Sequence, residues 1–240
     1  LVDLSGLSSI NSFNGQLLIQ ENDSLTTLEG LSNLEEIIGD LYIGSNSELS
    51  NVEDLSGLKK LQGSLNIDNN AKLMSLNGLS GLTRVKDLKI QGNQSLINIE
   101  GLSGLELLSG GLTISANQSL VDLDGLGGIK EVMGDVAIEW NPSLVDIKGL
   151  SSLETIGFGF RIKANESLGE LAGLEKLETV SGALLIYNNA SLEHVDALMA
   201  LVEVDGDVDI QDNSALEDAK GLSNLTSISG KLYVGWNPIL

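Results

Sequence analysis

The sequence contains no cysteine, which excludes a disulfide framework and any zinc or iron–sulfur site built on thiolates. It has one histidine, so neither a His-rich metal site nor a His-paired nucleophile with a spare base is available. Basic side chains are scarce, 13 against 34 acidic ones, and the net charge is −21. A chain so negative is a poor match for nucleic acid or an anionic membrane, because both are bound by positive surface. Aromatic residues make up 3% of the chain, so whatever core it builds is aliphatic. No apolar run approaches the roughly 20 residues that a membrane-spanning helix needs, and no direct membrane insertion is expected of this segment. Nor does a basic stretch followed by an apolar one follow Leu1, as a secretory leader would require. What is present is 42% hydrophobic residues, too many for a disordered acidic chain.

Those hydrophobic residues are periodic. The run Leu25-Thr26-Thr27-Leu28-Glu29-Gly30-Leu31-Ser32-Asn33-Leu34 returns as Leu144-Val145-Asp146-Ile147-Lys148-Gly149-Leu150-Ser151-Ser152-Leu153. Aligned throughout, the chain is ten units beginning at Leu1, Leu25, Leu49, Leu73, Leu96, Leu120, Leu144, Leu168, Leu192 and Leu216. Nine units have 24 residues and the fourth has 23; Leu240 opens an eleventh. No linker or composition shift interrupts them, so residues 1–240 read as a single repeat domain. Because a new unit opens at the last residue, the chain is expected to be an internal segment of a longer protein.

Within the unit, positions 1 and 7 are always leucine, and positions 4, 10, 13, 17 and 19 are almost always aliphatic. Position 15 is usually glycine, as in Gly39, Gly63, Gly134 and Gly206. Position 22 is asparagine every time: Asn22, Asn46, Asn70, Asn93, Asn117, Asn141, Asn165, Asn189, Asn213 and Asn237. Aliphatics at 17 and 19 alternate with outward residues at 16, 18 and 20, the period of a half-buried strand. From position 1 to 13 the aliphatics come every third residue. Glycine at position 6 and Ser, Asn or Gly at 8 and 9 argue against a stable helix there, so short extended pieces joined by tight corners are expected.

One strand per unit, always returning the same way, must pair in parallel with its neighbours. The predicted fold is therefore an all-β parallel β-solenoid of about ten 24-residue coils, roughly 48 Å long at about 4.8 Å per coil. A lone unit cannot offset the entropy of ordering its backbone, so stacking supplies the stability. The asparagine column is expected to be a structural ladder whose amides satisfy backbone groups at an inward-turning corner. That reading also accounts for the Asn-x-Ser sequons at Asn22, Asn93, Asn117, Asn165 and Asn189. Asn224, at outward position 9, is left as the one glycosylation candidate.

The string Leu34-Glu35-Glu36-Ile37-Ile38-Gly39-Asp40-Leu41-Tyr42-Ile43-Gly44-Ser45-Asn46 resembles the leucine-rich-repeat superfamily, and more closely the L-domains of growth-factor and insulin-type receptor ectodomains. The shared order is apolar residue, glycine, L-x-I and asparagine, and it extends over all ten units. The resemblance implies a right-handed parallel solenoid with roughly three faces. Long L-domain-like arrays of microbial or protist surface proteins are the nearer comparison, and they imply an extracellular or cell-surface location.

The outward strand columns hold the candidates for function. Only Thr113 among them is threonine, which argues against an ice-binding array. Asp207 and Asp209, with Asp212 at the following corner, come nearest to a carboxylate cluster for hydrolysis, but a pair of aspartates on so acidic a chain reads first as solvated surface. No glycine-rich nonapeptide of the calcium-binding kind occurs, and no cofactor is expected. His194, beside Glu193 in a variable turn, is expected to be solvated. Coils six to eight stand out: Trp140 precedes the ladder asparagine, Arg161 and Lys163 lie on the next strand, and Tyr187 on the one after. Glu139, Lys163 and Tyr187 should form one column, and aromatic and arginine side chains on an exposed sheet are typical anchors for a partner. The competing reading is an ordinary Glu139–Lys163 ion pair, with Trp140 covering a corner as Trp236 does. The expected function is thus a non-enzymatic interaction, adhesion or scaffold solenoid, with a protein or glycan partner or end-to-end self-association. The alternative is a receptor-like glycan or peptide site on coils six to eight.

Overall fold

The computed structural model describes residues 1–240. In every coil, positions 17–20 form a four-residue strand, from Leu17–Gln20 in the first to Leu232–Gly235 in the tenth. All ten pair in parallel, in chain order, in one sheet. The register advances one coil per strand, with Leu17 opposite Leu41 and Leu41 opposite Leu65. A two-residue strand at positions 12–13 forms a second face, but this one is broken. Ser12–Phe13, Glu36–Ile37 and Lys60–Leu61 make one short sheet, and Arg84–Val85 through Ser227–Ile228 make another of seven strands. The chain is an all-β parallel solenoid without α-helix.

Positions 1 to 13 are less extended than the spacing suggested. Seven coils carry a 3₁₀ turn near positions 5–7, for example Glu100–Leu102 and Lys148–Leu150. In six of the seven its start is fixed by an Asp or Asn side chain at position 3. Asp122 Oδ1 accepts the N–H of Asp124 at 3.1 Å, and Asp146 and Asp218 do the same for Lys148 and Lys220. Such a local side-chain acceptor compensates the turn for the glycine that should weaken it. The glycine itself is required by the stacking: a Cβ on Gly149 would overlap the Leu123 carbonyl of the coil before.

The aliphatic positions of all coils merge into one core of 59 buried residues, in which Phe160 is the only aromatic ring. The fourth coil, one residue short, has two residues between its strands Arg84–Val85 and Leu88–Gln91 where its neighbours have three, so that corner is tightened.

The asparagine column closes the end of the long strands. At each of nine steps the backbone N–H of one ladder asparagine donates to Oδ1 of the next, at 2.9–3.1 Å. Its Nδ2 donates to the position-19 carbonyl of the preceding coil, as Asn117 does to Ile90 O at 3.0 Å. Nine of the ten asparagines are buried, and the partly buried one is Asn22. Beside the ladder, the residue at position 21 is left-handed in every coil. Nine of these are not glycine, among them Ala116, Trp140 and Trp236, with φ between 52° and 59°. An L-residue there costs about 1–2 kcal/mol, which the ladder must hold in place.

Candidate interaction surface

The long strands present positions 16, 18 and 20 outward, and the three columns do different things. Position 16 is partly structural. Asp40 Oδ1 accepts the N–H of Ser64 at 2.8 Å, Asp87 that of Gly111 at 2.8 Å, Asp135 that of Gly159 at 2.8 Å and Asp207 that of Lys231 at 2.7 Å. Each of these four aspartates satisfies a backbone donor at the next coil's corner, as isolated rungs beside the continuous asparagine ladder. Asp207 is therefore engaged by a backbone donor. Asp209 sits one step inward with its Oδ1 buried and unpartnered. Burial pushes its carboxyl above the usual range, repulsion from Asp207 and Asp212 adds to this, and Lys231 opposes it. No group of three or more His, Asp and Glu is placed to hold a metal ion. His194 is not in a solvated turn: it pairs by a β-bridge with Glu170, and its Nδ1 is buried without a partner.

Coils six to eight assemble as a cluster. Glu139, Lys163 and Tyr187 are register partners on adjacent strands, as are Ala137, Arg161 and Leu185. The Glu139–Lys163 ion pair of the competing reading does not form. Glu139 Oε1 instead meets the Arg161 guanidinium diagonally at 3.1 Å. That leaves Lys163 to the aromatic rings, its Nζ 4.9 Å from the centroid of Trp140 and 5.0 Å from that of Tyr187. An ammonium held between two ring faces is attracted by both quadrupoles, and it stiffens all three side chains. Trp140 has the left-handed backbone of its column and remains 52% exposed. The comparable Trp236 is also left-handed and more exposed. Beside Trp140 lies a shallow depression of about 480 Å³ lined by Ala116, Gln118, Pro142, Ala164 and Glu166.

Asn224 is exposed, and its Nδ2 donates to Met199 O at 2.8 Å. The ladder asparagines of the other sequons have both ends of the amide engaged, for example Asn165 with Asn141, Ile138 and Asn189.

Three surface features are not among the candidates read from the sequence, although Gly157-Phe158-Gly159-Phe160 already breaks the usual single glycine. Phe158 occupies position 15, the glycine column, and is 60% exposed, with Gly157 taking over the close approach to Met133. Met74, Ile97, Val121 and Val145 form an exposed aliphatic row at position 2, joined by backbone bonds of 3.0–3.3 Å. Lys59, Lys60, Arg84 and Lys86 converge on one cleft. A column-by-column alignment signals the first two, since each breaks the character of its column. The third joins residues of three columns and two coils. Compared with known proteins, the chain matches no family model and no curated protein.

Proposed function

We propose that this protein is a non-enzymatic extracellular or cell-surface solenoid, an adhesion or structural interaction module of the leucine-rich-repeat or receptor L-domain kind. The observation that carries the reading is the employment of its polar residues. The asparagines at position 22, the aspartates at position 16 and the Asx residues at position 3 hold corners together, which leaves variable outward side chains on a rigid frame. A frame of that kind suits recognition, because contacts on strands of fixed register are already positioned before a partner arrives. Parallel strand edges at the solenoid ends suit end-to-end association. The test is light scattering with size-exclusion chromatography on the full-length native protein, with and without calcium. Rods that lengthen with concentration support a building material. A monomer of fixed mass sends the search for contacts to the strand face.

A second reading has its own observation. Trp140, Lys163 and Tyr187 form a pre-ordered, half-exposed cluster flanked by Arg161, and this suits capture of a glycan or peptide. Alanine at Trp140, Arg161 and Tyr187 then abolishes ligand capture while the thermal midpoint holds. Capture unaffected by all three changes removes this reading.

A further inference from the structure

Six of the ten coils are net acidic, the third, seventh and tenth are neutral, and only the fourth is positive. Residues 49–95, the third and fourth coils, carry six basic and four acidic side chains, a charge of +2, while the rest of the chain carries −23. Four of those six cations, Lys59, Lys60, Arg84 and Lys86, line a single cleft of about 600 Å³, and no acidic residue lines it. Along the solenoid, position 12 reads Glu36, Lys60, Arg84, Leu107, Glu131, so the positive stretch is bounded by carboxylates on both sides.

The backbone explains why a cleft exists there. It is the place where the short-strand face is broken, between Lys60–Leu61 and Arg84–Val85, and where the fourth coil lacks a residue. Lys59 N–H donates to Glu35 O at 2.9 Å, and Glu106 N–H to Thr83 O at 2.9 Å, but Thr83 N–H makes no corresponding bond to Lys59. The ladder is interrupted there, as it also is where Lys130 N–H makes no bond to Glu106, but the coils stay joined: Lys86 N–H reaches past its usual partner to Gly63 O at 2.9 Å.

Cations scattered to offset a net negative charge would sit beside acids. Of the five ion pairs in the structure only Lys60–Glu36 involves this group, and at 3.9 Å it is the longest. Lys59, Arg84 and Lys86 have no carboxylate partner and are exposed. Holding like charges together without counterions is unfavourable, and an anion in the cleft relieves it.

We propose that this cleft binds a short anionic oligosaccharide bearing carboxylate or sulfate groups. Its size is that of a small-ligand site. The apolar floor of Leu61, Val85 and Leu107 suits the C–H face of a sugar ring, the hydroxyl and amide groups of Gln62, Thr83 and Ser109 suit its hydroxyls, and the cations suit its charges. The bounding carboxylates, and the negative surface beyond them, repel a long polyanion such as nucleic acid and select a ligand of a few residues. This site stands apart from the Trp140 cluster and does not depend on it.

The experiment is titration calorimetry of the whole chain at low and moderate salt. The probes are a uronate tetrasaccharide, a sulfated tetrasaccharide, an uncharged tetrasaccharide, inorganic phosphate and a phosphoserine peptide. At least one of the two charged sugars binds, more weakly as salt rises, and the uncharged sugar does not. Which of the two is tighter identifies the anionic group. Arg84→Gln with Lys86→Gln weakens binding by about tenfold or more. Lys176→Gln with Lys220→Gln, the same charge change on distant coils, and Trp140→Ala leave it unchanged. All these residues are exposed, and circular dichroism checks that the variants remain folded. The proposal is overturned if neither charged sugar binds, if phosphate or the peptide binds as tightly, or if the double variant binds like the parent.

Discussion

The two faces of the solenoid stack on the same core yet behave differently. The long-strand face runs unbroken through ten coils, whereas the short-strand face splits after the third. Both use parallel backbone bonds, but the long strands are also gripped by side chains, by asparagine at position 22 in every coil and by aspartate at position 16 in four. The short strands have two residues each and no buried side-chain ladder. Loss of one residue in the fourth coil is absorbed entirely on the weaker side, while the register Leu65 to Leu88 to Leu112 on the stronger side is undisturbed. In a repeat protein a defect settles where the fewest interactions oppose it.

The largest test of that difference is Asn117→Ala. It orphans the buried N–H of Asn93 and the carbonyl of Ile90, and should cost about 3 kcal/mol or more in denaturant unfolding. Asn33→Ala, which removes an exposed bond to Ser8 O leading into the short-strand side, should cost about 0.5 kcal/mol or less. Equal costs would break the comparison. Ala164→Gly relaxes the left-handed corner that the ladder holds, and should stabilise by about 0.5–1 kcal/mol. A loss of stability would mean that the corner is not strained. The smallest effect is Asp209 on the long-strand face. Its folded pKa lies above the unfolded value, so the folded form binds the proton more tightly, and its contribution to stability declines as pH rises through the interval between the two. Asp209→Asn should flatten that decline, measured as thermal midpoint against pH. Asp218 is the control, because its hydrogen bonds from Lys220 hold it below the usual range and its contribution runs the other way.

Much of this was legible from the residues. Leucine at positions 1 and 7, the alternation at 17 and 19 and the invariant asparagine prescribe the coil, the long strand and the ladder. Each is a repeated demand on one residue type. The 3₁₀ turns were missed because glycine at position 6 was weighed by helix propensity alone, without the acceptors supplied by Asp122 or Asp146. The left-handed column was invisible, since glutamate, serine, alanine, aspartate and tryptophan all occupy position 21, and no side chain announces a backbone angle that its neighbours impose.

Trp140, Arg161, Lys163 and Tyr187 come together on adjacent strands as the spacing requires, and the Glu139–Lys163 pair of the competing reading does not form. Strand period and unit length determine which residues stand side by side. Whether Lys163 turns to Glu139 or to the rings depends on a diagonal reach by Arg161, which only the folded sheet defines.

The sequence by itself determined the period, the inward and outward faces, the aliphatic core and the asparagine ladder, because these follow from local spacing repeated ten times. Tertiary structure decided where the weaker face opens, which cations share the resulting cleft and how the charged and aromatic groups pair. Those outcomes depend on contacts between coils, where a side chain's neighbour is about 24 residues away in sequence and about 5 Å away in space.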